Sequence, residues 1–354
     1  MDRIKVDLLH LFQEGTGQTV YTKTLSKALK NSVDLQPINP SQFFLFNFLN
    51  RFSNSLAIKF LPFLLMQKIR KGSVVHIVNQ ELFFLLPVIK NSCVITLHDM
   101  SLYSYYSEWK EKDVLLLDKA KKIICDSDST RKELTKNFPL FEKKCKSIHL
   151  GLSSSFSKSS SDARKKFGLK KNSRIVLFVG SDDPKKNFFS LLKAFSELKQ
   201  ENLVLVKAGL AWSMKKNQRK LFEEFISSKN LQQKVKFIDF PSTQDLIDLY
   251  FEAEVFVNPS HFEGFGLTLI EAMFCGCPVL CSDNTSFPEI AGNSALFFDS
   301  KNQEQIKEKL ELVLNNKNLR QELIQKGFQN IKRFNSSKMA EETIEVYEQA
   351  LKEK

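Results

Sequence analysis

Glycine is scarce in this chain, 12 among 354 residues, yet three of the twelve fall within 13 positions of SHFEGFGLTLIEAMFCGCPVLCSD, residues 260–283. Long apolar runs are missing altogether. No uninterrupted stretch reaches about 18 residues, so a transmembrane helix is not expected. The opening MDRIKVDLLHLFQEGTG begins with an acidic residue and a short apolar run, which reads as a first strand and loop rather than a signal peptide. A cytoplasmic location follows, free or peripheral on the inner face of the membrane. The six cysteines form no paired CxxC motif, and Cys275, Cys277 and Cys281 have no nearby histidine to complete a zinc site. They are expected as buried free thiols, with no metal bound. No period of 20 to 50 residues repeats, which argues against a solenoid. Long blocks of consecutive lysine are absent too, although the net charge is +12. That charge suits anionic partners such as phosphates, nucleic acid or an acidic membrane, or simply a solvated basic surface.

What is present is alternation. Short apolar runs (IKVDLLHLF, SVVHIV, CVITLH, AKKIICDS) take turns with helical patterns such as YTKTLSKALK and TRKELTKNF. This order predicts an α/β fold with mainly parallel sheets covered on both faces. SSSFSKSSSDARK is the clearest linker, and after it the alternation restarts with RIVLFVG, NLVLVKAG, KVKFIDF and EVFVNPS. Two doubly wound, Rossmann-like domains are expected: 1–152, a linker at 153–167, and 168–334. Residues 335–354 form a final helix packing across the junction. Ligands of such domains meet the carboxyl ends of the strands.

The glycine cluster falls at one of these ends. EVFVNPS reads as a strand, and LTLIEAMFCG as a helix closed by Gly276 with Pro278 just beyond. Residues 263–266, Glu-Gly-Phe-Gly, are then the turn between them. Gly264 and Gly266 admit positive φ and close approach of a ligand. The first amides after Gly266 have no partner within the helix and suit a phosphate or diphosphate. Glu263 sits at the turn, and Glu271 lies just over one turn into the helix. An ionised carboxylate only accepts hydrogen bonds, so acids on both sides of a phosphate site suit a ligand with hydroxyls flanking its phosphates. A ribose and a hexose fit that description. The competing assignment is a glycine-rich turn with two solvated glutamates.

EGFGLTLIEAMFCGCPVLCSDNTSFPEIAGNSALFFD resembles the signature of the retaining, nucleotide-sugar-dependent glycosyltransferases of family 4, within the group 1 glycosyl transferases. Their motif is two glutamates separated by seven residues, matched by Glu263 and Glu271, and Pro288 with Glu289 fits its downstream part. The resemblance implies the GT-B fold, with two Rossmann-like domains facing a central cleft. It implies that Glu263 contacts the transferred sugar, that Glu271 contacts the ribose, and that Gly266 and Leu267 present amides to the diphosphate beside Phe265. LFVGSDDPKKNFFSLLKAF is similar to the family's phosphate loop, with Gly180 ending the strand and Lys186 on the diphosphate. Many members carry arginine directly after that glycine; here it is Ser181, with Lys185 nearby as a second cation.

The first domain is similar more loosely. GTGQTVYTKTLSKAL places Gly17 near the donor phosphates, VITLHDM brings His98 to the reaction centre, and CDSDSTRKEL carries Ser127 in its turn. His98 can equally be a capped histidine at a strand end, and His76 in VVHIV reads as structural. The implied activity is retaining hexosyl transfer by front-face displacement, without a metal or other cofactor. Asp126 and Asp128 have Asp-x-Asp spacing but fall in the turn before a helix. The PKKN and SHFEGFGL forms lean toward GDP-mannose, ahead of UDP-hexoses, as donor.

Between Asp34 and Glu81 no acidic residue occurs, while Arg51, Lys59, Lys68, Arg70 and Lys71 do, and seven of the 32 phenylalanines lie between 41 and 63. Residues 41–72 thus have the composition of an interfacial segment on an anionic membrane, consistent with a glycan or lipid-linked acceptor. A core helix with exposed lysines is the alternative. Two other functions compete: a basic nucleic-acid-binding protein, for which no recognised module is found and no nucleic-acid partner is expected, and another GT-B chemistry such as a nucleotide-sugar epimerase.

Overall fold

The computed structural model describes residues 3–11, 16–40, 61–156, 162–211 and 217–353. The chain divides into two compact units, Met1–Ser153 with Asn335–Lys354, and Ser154–Phe334. Each is built on six parallel strands.

In the first unit the strands are β1 (Lys5–Leu9), β2 (Asp34–Ile38), β3 (Val74–Ile77), β4 (Cys93–Leu97), β5 (Lys122–Cys125) and β6 (Cys145–Ser147), ordered β2-β1-β3-β4-β5-β6. Every residue of β3 and β4 is buried. That requires cover on both faces, as a parallel sheet demands. The C-terminal helix Ser336–Lys352 supplies part of it, packing on β3, β4, β5 and the helix Gly17–Leu29. It therefore completes the first unit.

One charged residue interrupts the apolar run of β1. Asp7 is fully buried, and it accepts from Arg70 Nε at 2.7 Å, the Arg70 amide at 2.8 Å and the Ser73 hydroxyl at 2.6 Å. Arg70 also reaches Asp34 Oδ2 at 2.8 Å. It is thus a buried-charge partner for β1 rather than a membrane-facing cation. The rest of the basic, phenylalanine-rich stretch at 41–60, with Arg51 and Lys59, lies outside the described residues. Just after it, Leu61 and Leu65 are buried and Phe63 is 65% exposed.

In the second unit the order is β12-β11-β10-β7-β8-β9, with β7 (Arg174–Val179), β8 (Leu203–Ala208), β9 (Val235–Ile238), β10 (Val255–Asn258), β11 (Val279–Ser282) and β12 (Ala295–Phe298). The chain winds outward from β7 through β8 to β9, then returns to pair β10 on the other side of β7. A reversal of this kind opens a crevice at the carboxyl ends of the two central strands. The loop after β7 and the turn after β10 both fall there. Helix Phe188–Ser196 buries Phe188, Leu191, Leu192 and Phe195, a helical spacing that sets one stripe against the sheet. Of the expected linker, residues 157–161 lie outside the described residues, while Asp162 caps a short helix, Ala163–Lys166, within the second unit.

All six cysteines are free thiols, five buried and Cys145 half-buried. Among the described residues no helix is long and apolar enough to cross a membrane.

Candidate functional site

The turn after β10 is fixed from beneath by hydroxyls. Ser260 is 1% exposed and shares its hydroxyl proton between Asn258 Oδ1 at 2.6 Å and Glu263 Oε1 at 2.8 Å. The Glu263 amide donates to Thr285 Oγ1 at 3.1 Å. The Ser286 hydroxyl donates to the carbonyls of Glu263 and Phe265, at 3.1 and 2.8 Å. Gly266 then takes φ +105°, and a Cβ there would lie 2.8 Å from Phe287 Cε1. Conformation and space both exclude a side chain at this position. The helix Leu267–Phe274 starts directly after it, so its first amides open toward the crevice. At its far end the amides of Gly276 and Cys277 donate to Met273 and Ala272, at 3.1 and 2.9 Å, with Gly276 at φ +68°. This is a Schellman cap, as the Gly-x-Pro spacing predicts. The Phe265 ring packs edge-on against Phe334 with centroids 5.7 Å apart.

The loop after β7 meets this turn. Lys186 Nζ lies 2.7 Å from Glu263 Oε1, with side chains 23% and 14% exposed. The two residues that sequence analysis assigns to the diphosphate and the sugar are therefore in contact. Asn187, at φ +54°, donates from Nδ2 to the carbonyls of Pro259 and Ser300, at 3.0 and 2.8 Å. The His261 amide donates to the Lys185 carbonyl at 2.7 Å. These bonds stitch the two loops together at their backbones, so the Lys186–Glu263 distance is set by the fold. Glu271 is 6% exposed and accepts from the Tyr250 hydroxyl at 3.2 Å.

The comparisons with known proteins agree with this geometry. Residues 159–330 match the family described as Glycosyl transferases group 1. That unit is a group 1 glycosyltransferase domain. It is 28% identical over 281 residues to the O-antigen chain mannosyltransferase B of Escherichia coli, covering 75% of this chain and 72% of that protein. It is also 28% identical over 234 residues to the N-acetylgalactosamine-N,N'-diacetylbacillosaminyl-diphospho-undecaprenol 4-alpha-N-acetylgalactosaminyltransferase of Campylobacter jejuni, covering 65% of this chain and 60% of that one. The crystal structure of HepE from Anabaena in complex with UDP and glucose superimposes with a TM-score of 0.81 at 15% identity, over 97% of this chain and 98% of that one. The fold is GT-B.

Within this glycosyltransferase, burial pushes the Glu271 carboxyl up to about 7, against the opposing effect of the Tyr250 hydrogen bond. A raised carboxyl stabilises the folded chain below its unfolded value, near 4.3, and that stability is lost as pH rises through 7. The expected contribution is about 4 kcal/mol across that window. Urea unfolding between pH 4.5 and 8 should show Glu271→Gln losing less stability with rising pH than the wild type. Parallel pH dependences would refute the buried-acid assignment.

Residues that sequence analysis did not single out hold the β7 loop of the glycosyltransferase. Lys207 in β8 is fully buried, 2.7 Å from Asp182 Oδ1 and donating to the Gly180 carbonyl at 3.0 Å. Arg219 reaches Asp182 Oδ2 at 2.9 Å and Asp239 Oδ1 at 2.8 Å, with its guanidinium 4.2 Å from the Phe237 ring centroid. The sequence signal for this cluster is the single charge ending the apolar run NLVLVKAG. A lysine in a covered strand demands a buried acid, and Asp182 provides it. Ser181 thus stands beside two cations that are already neutralised.

In the first unit, Gly17 opens the helix Gly17–Leu29, which Thr16 caps by accepting from the Thr19 amide at 3.3 Å. Residues 12–15 of the preceding loop lie outside the described residues. Ser127 caps the helix Asp128–Asn137, its hydroxyl accepting from the Thr130 amide at 3.1 Å. His76 is structural: it lies between Tyr347 Oη and Thr96 Oγ1, 2.8 Å from each. His98 directly follows β4 and has both ring nitrogens engaged, Nδ1 2.6 Å from Asp126 Oδ2 and Nε2 2.7 Å from the Val78 carbonyl.

Proposed function

We propose that this glycosyltransferase moves a hexose, mannose in first place, from a nucleoside-diphosphate sugar to a hydroxyl of a glycan or lipid-linked acceptor, with retention at the anomeric carbon. The observation that carries this reading is the Lys186–Glu263 contact of 2.7 Å, beside a glycine-opened helix start at the switch point of a parallel sheet. A cation and free amides suit a departing diphosphate, and preorganised charge of this kind is usually the largest catalytic contribution. Glu263 Oε1 is occupied by Lys186 and Ser260, which leaves Oε2 to accept from a hydroxyl of the sugar. Glu271, close to the same helix start, accepts from the ribose.

In the proposed step the bond between the anomeric carbon and the diphosphate oxygen breaks, and its electron pair leaves with the phosphate. The acceptor oxygen bonds the same face of the carbon, and its proton passes to the departing phosphate oxygen. Lys186 and the amides after Gly266 stabilise the charge, and no divalent cation or cofactor takes part. Mannose is favoured because the E. coli relative is named a mannosyltransferase, and a lipid-linked acceptor because the Campylobacter relative is named for a diphospho-undecaprenol substrate. Such an acceptor calls for a cytoplasmic enzyme at the inner membrane surface.

A panel of GDP- and UDP-sugars read by thermal unfolding tests the donor. The correct one at ~100 times its Kd adds ~2.7 kcal/mol, and GDP-mannose is expected to give the largest shift. Transfer to vesicle-borne and soluble acceptors, with the product's anomeric configuration read by NMR, is expected to continue in EDTA. No shift with any nucleotide sugar would refute the function, and loss of transfer in EDTA would refute its metal independence.

A further inference from the structure

His98 is enclosed: the residue is 9% exposed, and the Tyr21 ring stands edge-on to it with centroids 5.2 Å apart. Its backbone is held too, since the amides of His98 and Asp99 donate to Gln80 Oε1 at 3.1 and 3.2 Å. The Val78 carbonyl, 2.7 Å from Nε2, can only accept, so Nε2 carries a hydrogen. The Asp126 carboxylate, 2.6 Å from Nδ1, can only accept when ionised, so Nδ1 carries one as well. Asp126 is 3% exposed and its other oxygen, Oδ1, is buried with no hydrogen-bond partner among the described residues. The contact with His98 is therefore the hydrogen bond that compensates its charge.

We propose that Asp126 is a positioning residue that holds His98 doubly protonated, as a fixed positive charge at the carboxyl edge of β4. Held this way, the ring cannot act as the base that takes the acceptor's proton. That consequence rests on the proposed transfer reaction; the state of the ring does not.

The surroundings agree. Burial alone would push the His98 ring down, but the charge and hydrogen bond of Asp126, the Val78 carbonyl and the charge of Asp99 outweigh it and the shift is upward. Tyr21, from the helix Gly17–Leu29, is a neutral phenol because burial drives it up. His76, from β3, is neutral because burial pushes it down to about 3, with the His98 charge adding to the effect. Burial pushes the Asp126 carboxyl up, with the charge of Asp99 adding to it; the charge and hydrogen bond of His98 are the largest opposing effects, and the charge of His149 a smaller one.

The test is ring nitrogen NMR on protein carrying 15N-histidine, with the His98 signals assigned by their loss in His98→Gln. At pH 8 the wild type is expected to show both His98 nitrogens protonated, and Asp126→Asn one protonated and one bare. A bare ring nitrogen in the wild type at pH 8 overturns the proposal, and this reading needs no variant to fold. The kinetic signature is separate. Wild-type kcat, read at saturating donor so that the titration of Glu271 enters KM, is expected to be level from pH 6 to 8. In Asp126→Asn it should fall toward about tenfold per pH unit as the ring loses its proton, with Asp126→Glu recovering the level profile. An unchanged, level profile in Asp126→Asn would also overturn it. Absence of any transfer with a doubly protonated ring would instead count against the proposed function alone.

Discussion

Lys186→Ala is expected to lower kcat/KM for the nucleotide sugar by about 10²–10³-fold, the range for removing one preorganised charge-stabilising group. The size of the effect follows from which cations at this end of the second sheet are already committed. The resemblance implies arginine after Gly180, and the chain has Ser181 there. Lys207 and Arg219 do not replace it, because Asp182 and Asp239 neutralise them. Among the described residues this leaves Lys186, with Lys185 beside it, and the amides after Gly266 to face the diphosphate in the proposed reaction. Lys186→Arg should recover only part of the loss, since a planar guanidinium cannot reproduce a point charge placed 2.7 Å from Glu263 Oε1. Glu263→Gln separates the roles. It frees Lys186 for the phosphates, so affinity for the nucleoside diphosphate product should hold or improve while turnover falls. Steady-state kinetics with product inhibition reads all three variants. Lys186→Ala within threefold of wild type, with unchanged product inhibition, would remove Lys186 from the reaction.

The part of this site legible in the sequence is the part written as backbone requirement. Gly266 must be glycine because φ is +105° and Phe287 occupies the Cβ position, and Gly276 with Pro278 ends the helix by a local rule. Glu263 and Glu271 could be placed relative to these because a strand, a turn and a short helix fix the offsets. The parallel sheets followed equally well, since runs such as VVHI and CVITL are buried at every position. Contacts distant in the chain were not legible. Nothing local to Asp182 shows that it pairs with a lysine in the next strand and an arginine in the helix beyond. Nothing near His98 shows that Asp126 closes on its ring. The same holds for Arg70, which reads as part of a basic surface stretch until β1 brings a buried Asp7 to it. In each case the sequence shows an unusual charge, and only the fold supplies its partner.

Asp182→Ala should be the most damaging single substitution for the stability of the second unit. It strands Lys207, whose side chain is fully buried, with the Gly180 carbonyl as its remaining hydrogen-bond acceptor. Breaking a buried pair from one side costs about 3–5 kcal/mol, because the other charge stays uncompensated. The lysine can escape part of that cost by losing its proton. Burial already pushes it downward, ahead of the opposing attraction of Asp182. Deprotonating an ordinary lysine at pH 7 costs about 4.6 kcal/mol, so this route gives a similar ceiling. For a unit of this size the melting temperature should fall by roughly 6–20 °C. Raising the pH from 7 to 9 should return some of the loss in Asp182→Ala, since a neutral Lys207 becomes cheaper there. Asp182→Asn combined with Lys207→Met should recover most of it, because Arg219 keeps Asp239 and no buried charge is left alone. If the double variant melts no higher than Asp182→Ala, the loss comes from something other than the stranded lysine, and the cluster does not hold the β7 loop in the way its geometry indicates.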